Sequence, residues 1–105
     1  LIMTISTNAS SSIKRALRVM KALKGHSLNG ISNGELAKAL NESPANITRA
    51  LNTLVDEGMA QRLDSGRYAP GMMLLQIAQS FANEMASTQA RIAEMNQRVL
   101  AGSRN

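Results

Sequence analysis

Between positions 45 and 53 the chain reads Ala-Asn-Ile-Thr-Arg-Ala-Leu-Asn-Thr, a stretch rich in hydrogen-bonding groups whose only charge is Arg49. Arg49 can donate twice to guanine O6 and N7, Asn46 and Asn52 can pair with the N6/N7 edge of adenine, and Ala45 or Thr48 can touch a thymine methyl. That set suits the base edges of a duplex major groove. An ordinary solvated face is the competing reading, but the charges that usually dominate such a face are missing here. The nearest following acids, Asp56 and Glu57, stand beyond the stretch. A second set could hold phosphate. Lys14, Arg15, Arg18, Lys21 and Lys24 form a run of one sign with no acid before Glu35, and Lys14, Arg18 and Lys21 share one helical stripe at i, i+4 and i+7. Arg62 and Arg67 flank a turn, and the hydroxyls of Ser43 and Thr53 lie at the two ends of the reading stretch. All of these except Lys24 are expected as backbone contacts.

Other chemistry is hard to build from this chain. There is no cysteine, which removes a disulfide scaffold, a thiolate metal site and a cysteine nucleophile. His26 is the single histidine and has no second ligand near it in sequence. The carboxylates are scattered, so no acid–base pair stands out. Gly25 to Gly30 has the glycine spacing of a phosphate loop, yet Ile31-Ser32 occupies the place of the required Lys-Ser/Thr, and a helix precedes it. An enzyme, a metal site and a cofactor are therefore not expected. With Tyr68 and Phe81 the only aromatics, stacking on single-stranded bases is weakly supported too.

The 105 residues carry a formal charge of +5, which points to a polyanionic partner, and they suffice for one compact domain plus an extra element. Neither a targeting peptide nor a membrane span is legible, so a cytoplasmic protein without membrane contact is expected. Thr4 to Ser12 is small and polar and reads as an arm. Ser11 or Ser12 then caps a first helix with Ile13, Ala16, Leu17, Met20 and Leu23 inward, terminated at Gly25. Ser32 and Glu35 form a capping box for a second helix, with Ile31 stapling onto Leu36, Leu36, Ala37 and Leu40 inward, and Asn41 at the exit. Ser43 and Pro44 start a third helix, which buries Ile47, Ala50, Leu51 and Leu54 and runs to Gly58. The second and third helices, with small Ala37 at their approach, make a helix-turn-helix.

Met59 to Leu63, the turn Asp64-Ser65-Gly66, and Arg67 to Ala69 read as a hairpin that ends at Pro70-Gly71, in the position of a wing. From Met72 to Leu100 neither proline nor glycine interrupts the chain. Leu74, Ala78, Phe81, Met85, Thr88, Ile92, Met95 and Val99 alternate by four and three, the signature of a heptad seam. Such a helix outruns what a small domain can cover, so its distal half is expected to pair with a second copy. A helix packed wholly on its own domain is the alternative. The methionines fall on these stripes and at the hairpin start and read as core filler.

Three stretches carry a family resemblance: SSIKRALRVMKAL in the first helix, ELAKALNESPANITRALNTLVDEGMAQR through the helix-turn-helix, and GRYAPGMMLLQIA from the wing into the last helix. Together, over about Ser12 to Ile77, the sequence resembles the DNA-binding domain of IclR-family transcriptional regulators. The resemblance implies a third helix in the major groove, a wing on the backbone, and paired domains on two-fold symmetric sites. Arg49 matches the arginine usual in the recognition helix, Gly58 the glycine before the wing, and Arg67-Tyr68 with Gly71 the strand leading out. Glu42 departs from it at a turn position that is usually apolar, Pro44 is displaced by one, and Ala45-Asn46 replace a common Ser-Thr pair. The larger ligand-binding domain of such regulators is not among these residues, so no small-molecule effector is expected of this chain.

The reading is thus a mainly α protein: a winged helix-turn-helix with a three-helix core and a small β-hairpin wing, followed by a long C-terminal helix. Residues 1–11 are expected as a flexible arm, 12–71 as the DNA-binding domain, 72–101 as the dimerisation helix and 102–105 as a flexible tail. Sequence-specific binding of double-stranded DNA as a homodimer is the expected function, and a protein-interaction adaptor docked through the long helix is the alternative.

Overall fold

The computed structural model describes residues 9–103 and divides into two compact units, one up to Leu74 and one from Leu75. In order, the elements are α1 (Ser11–Ala22), α2 (Asn33–Leu40), α3 (Pro44–Asp56), β1 (Ala60–Arg62), β2 (Tyr68–Pro70) and α4 (Met72–Ser103). Apart from Ala9 and Ser10, the expected arm belongs to α1 or lies outside the described residues. At the other end, Gly102 and Ser103 continue α4, and the last two positions of the expected tail lie outside as well.

Ser10, not Ser11 or Ser12, caps α1, its hydroxyl accepting from the Ile13 N–H. Any of three consecutive serines can serve, and the earliest adds a backbone bond from Lys14 N–H to the Ser10 carbonyl. The inward face is also rotated from the expected one. Val19 and Leu23 are fully buried, with Ala16, Met20 and Ala22 against them, whereas Ile13 is 62% exposed and Leu17 is exposed beside it. At 100° per residue Val19, Leu23 and Ala16 centre the buried arc, so Ile13 and Leu17 fall at its rim and line a shallow groove with Ala50. That rotation points Lys14, Arg18 and Lys21 directly away from the core, and all three are exposed.

The start of α2 has the full capping box: Glu35 N–H donates to the Ser32 hydroxyl at 3.1 Å and Ser32 N–H to the Glu35 carboxylate at 2.9 Å. Ile31 and Leu36 are both buried, as the staple requires. Asn41 ends α2 in the left-handed conformation at φ 53°, and Ser43 with Pro44 opens α3 two residues later. Ile47, Ala50, Leu51 and Leu54 bury their side chains against α1 and α2.

Gly58 turns the chain at φ +78° into an antiparallel hairpin in which Ala60 faces Pro70, Gln61 faces Ala69 and Arg62 faces Tyr68. Pro70 is the last residue of β2 rather than a stop before it, and the Gln61 side-chain amide donates to its carbonyl at 2.8 Å. The wing has a third contributor that periodicity does not show. Ile31 and Tyr68 exchange two backbone hydrogen bonds of 2.8 Å, which ties β2 to the segment before α2. Gly30 makes this possible: at φ +71°, a Cβ there would stand 2.9 Å from both the Tyr68 carbonyl oxygen and the Arg67 Cβ.

α4 is a 32-residue helix with no buried residue. Within it Phe81, Met85, Ile92, Met95 and Val99 of the heptad seam are all exposed, Val99 by 68%. Ala78 and Thr88 are exposed too, and the Thr88 hydroxyl donates to the Glu84 carbonyl, while Leu74 is half-buried. The methionines therefore divide. Met20 and Met59 fill the core, but Met72, Met73, Met85 and Met95 are exposed, because α4 covers no core of its own. No helix among the described residues is long and apolar enough to cross a membrane.

Candidate nucleic-acid interface

α3 is amphipathic in an unusual sense, since its two faces differ in hydrogen-bonding capacity more than in charge. The buried arc holds Ile47, Ala50, Leu51 and Leu54. At 100° per residue the remaining arc spans about 160° in the order Thr48, Asn52, Ala45, Asp56, Arg49, Thr53, Asn46, with Asp56 at the far end of the helix. Arg49, Asn52 and Ala45 sit near its centre. All of these are exposed except Asn46, which is half-buried at the rim toward α1. On the side away from α1, Asn52 and Asp56 share a shallow groove with Arg62 and Tyr68 of the wing. One continuous surface thus carries the reading stretch, with α1 on one side and the wing on the other.

The rim residues are tied to their neighbours. The Thr48 hydroxyl donates to the Pro44 carbonyl at 2.9 Å and accepts from the Asn33 amide of α2 at 2.8 Å. Thr53 Oγ1 donates to the Arg49 carbonyl at 3.1 Å, and Ser43 Oγ accepts from Asn46 N–H as the helix cap. Asn46 donates from Nδ2 to Glu42 Oε1 at 3.2 Å, and its Oδ1 accepts from the Arg49 guanidinium.

Of the cations expected on phosphate, two are engaged by the protein itself. Arg15 Nε lies 3.0 Å from Glu42 Oε1, with side chains only 26% and 19% exposed. That Nε is buried without a well-aligned hydrogen bond, so the ion pair is its compensation. The α1 charge run is therefore opposed after all, by an acid 27 positions beyond Arg15 that folding brings back. The Arg15 guanidinium, and then the Asn46 amide, hold the Glu42 carboxyl below the ordinary carboxylate range. Arg67 donates from Nε to the Asn29 carbonyl at 3.0 Å and from a terminal nitrogen to the Gly30 carbonyl at 3.1 Å, and it pairs with Glu35 at 2.9 Å. Glu35 is likewise held below its ordinary value, first by the Ser32 backbone and hydroxyl and then by Arg67. Arg67 is thus a strut between wing and helix-turn-helix. Lys14, Arg18, Lys21 and Arg62 remain exposed and outside the ion pairs found among the described residues.

Sequence reasoning missed Glu42 and Asn33 as members of this surface. The spacings Glu42 to Asn46 and Asn46 to Arg49, at four and three, carry a local signal for the first. The Asn33–Thr48 and Arg15–Glu42 contacts have none, because each joins elements far apart in sequence. Among the described residues, no cluster of histidine and acidic side chains could hold a metal ion.

A helix-turn-helix followed directly by a two-stranded wing defines a winged-helix protein. Residues 12–64 match the IclR helix-turn-helix domain, and the chain belongs to that family. The fold is similar to the crystal structure of an IclR family transcriptional regulator from Brucella abortus, with a TM-score of 0.62 at 20% identity over 73% of this chain. The chain spans 30% of that regulator's length. A point mutant of ZitR from Lactococcus lactis is a weaker likeness, with a TM-score of 0.44 at 18% identity over 87% of this chain and 62% of that one. No curated protein sequence matches significantly.

Proposed function

We propose that this chain binds double-stranded DNA with sequence specificity, as a homodimer on a two-fold symmetric site, in the service of transcriptional regulation. One observation carries the reading: the first three turns of the exposed arc of α3 present Ala45, Thr48, Arg49 and Asn52 together, with Arg49 their only charge and the acid Asp56 held back to the last turn. Arg49 and Asn52 would read base edges, with Ala45 and Thr48 beside them against methyl groups and Asn46 at the rim. Lys14, Arg18, Lys21 and Arg62 would lie on phosphate, with Ser43 and Thr53 as neutral backbone contacts, while Arg15 and Arg67 brace the surface from within. The exposed seam of Phe81, Met85, Ile92, Met95 and Val99 supports pairing through α4.

The test is selection of sites from random duplexes at two ionic strengths, followed by Arg49→Ala on the selected half-site. The expected outcome is a palindromic site, and a loss of about 1–3 kcal/mol for Arg49→Ala that is absent on random DNA. Weak retention with no enriched sequence would refute the proposal and favour an adaptor.

A further inference from the structure

The inference rests on the reading just given and assigns a role to residues that touch no base in it. Asn46, Glu42 and Arg15 form one connected line from α1 to the middle of the α3 surface: Arg15 pairs with Glu42, Glu42 accepts from the Asn46 amide, and Asn46 accepts from Arg49. Each link constrains the next. A carboxylate can only accept, so it turns the Asn46 side chain with Nδ2 inward and leaves Oδ1 facing Arg49. A carbonyl oxygen can only accept in its turn, so it holds the guanidinium by an N–H. Glu42 could swing freely at an exposed turn. It is instead held at 19% exposure against Arg15, a partner fixed on another helix.

We infer that Glu42, braced by Arg15, is a specificity-determining positioning residue that aims the Arg49 guanidinium through the amide of Asn46. Arginine loses more rotamer freedom on ordering than most side chains, and a reader that is already aimed has less to lose when it meets a base. The planar fork recognises guanine by direction as well as by charge, so a misaimed guanidinium keeps its attraction for DNA and loses its discrimination. Asn46 on this account serves Arg49 from the rim. The depressed Glu42 pKa fits, because it keeps the carboxyl an acceptor further into the acid range than an ordinary glutamate.

The experiment measures the ratio of affinities for the selected site and for random duplex, in wild type, Glu42→Leu, Glu42→Gln, Asn46→Ala, Arg49→Ala and the double variant Glu42→Leu with Arg49→Ala. Thermal melts of each variant accompany it. Glu42→Leu and Asn46→Ala should lower the ratio about tenfold, the scale of one lost aligned contact. The same base position that Arg49→Ala relaxes should relax in both. Affinity for random duplex should hold in Asn46→Ala, and hold or rise in Glu42→Leu, which takes a carboxylate from the surface. Glu42→Gln keeps the size and can still accept from Asn46, so it should retain more of the ratio than Leu, and Asn46→Ala keeps the test open should Leu unfold. In the Arg49→Ala background Glu42→Leu should change the ratio no further.

An unchanged ratio in Glu42→Leu or, should Leu unfold, in Asn46→Ala would overturn the inference. So would equal losses on both duplexes together with a lowered melting temperature, which is what a purely structural role produces. A full additional loss in the double variant would overturn it by showing that Glu42 acts on something other than Arg49. If Arg49→Ala itself leaves the ratio of wild type, the base-reading proposal falls and takes this inference with it, an outcome distinct from the other three.

Discussion

Salt dependence offers a sharp separation between cations that meet DNA and cations that brace the protein. Lys14, Arg18, Lys21 and Arg62 are exposed and outside the ion pairs described above. Arg67 is a half-buried strut with three partners at 2.9–3.1 Å. If each of the four exposed cations neutralises one phosphate, log K should fall with log salt by about 0.9 per contact, about 3.6 for one chain and about 7 for a pair. Between 50 and 200 mM salt that is roughly a 10^4-fold loss. Arg18→Gln should flatten the slope by about 0.9 per chain. Arg67→Gln should leave the slope unchanged while lowering the melting temperature, because it removes the side-chain contacts from the wing to Asn29, Gly30 and Glu35. Titration of a fluorescent duplex at five salt concentrations, beside a thermal melt, reads both quantities. An Arg67→Gln slope reduced as much as that of Arg18→Gln would refute the division of labour, and a wild-type slope near zero would refute phosphate contact by α1 altogether.

Three further outcomes are expected. Gly58→Ala places an L-residue at φ +78° and its Cβ 3.0 Å from Met73 Cβ, so it should destabilise the chain by about 1–2 kcal/mol or more in a urea titration. Stopping the chain before Ser87 removes Thr88, Ile92, Met95 and Val99 from the exposed seam; light scattering should show a smaller species, with affinity for a paired site falling more than affinity for a half-site. An unchanged mass would refute the role of α4. The folded Glu35 carboxyl titrates below its unfolded value, so its stabilisation is present in full above the unfolded pKa and is lost as pH falls through the folded one. Glu35→Gln should therefore soften the acid-side loss of stability in a melt series, and an identical pH profile would contradict the capping-box assignment.

What the sequence makes legible here is local. The capping box at Ser32 and Glu35, the left-handed Asn41, Pro44 at the head of α3 and the buried stripe Ile47, Ala50, Leu51 and Leu54 all follow from rules acting within one or two turns. Errors begin where a choice depends on another element. Ile13 and Leu17 sit on an apolar stripe, yet the packing against α3 draws Val19 inward in their place. Tyr68 pairs with Ile31 because a glycine lets the loop pass close under the wing, a contact between segments that share no periodic signal. At the candidate surface, helical spacing placed Arg49 and Asn52 on the exposed side of α3, where they lie, but did not show which cations the fold pairs with acids. Arg15 and Arg67 look identical to Arg18 and Arg62 in a charge count, and only folding brings Glu42 and Glu35 against them.

The same distinction bears on α4. A stripe of Phe81, Met85, Ile92, Met95 and Val99 left in water is costly, and a contiguous apolar face of this kind marks an interaction surface. Its spacing of four and three keeps the stripe on one side only if the helix winds about a partner of similar period, which a second copy of the same sequence supplies without further requirement. Pairing would also change the DNA problem. On the proposed function a single α3 would read a few base pairs and four exposed cations would give modest hold, whereas two copies joined through α4 would bind the second half-site as an intramolecular event, at an effective concentration set by the joining helices. The proposed specificity of the α3 surface and the proposed pairing through α4 would then be parts of one mechanism. A variant that abolishes pairing should therefore lose most of its preference for the paired site over random duplex even with Arg49 and its buttress intact, because a single half-site would offer few base contacts against the non-specific DNA around it.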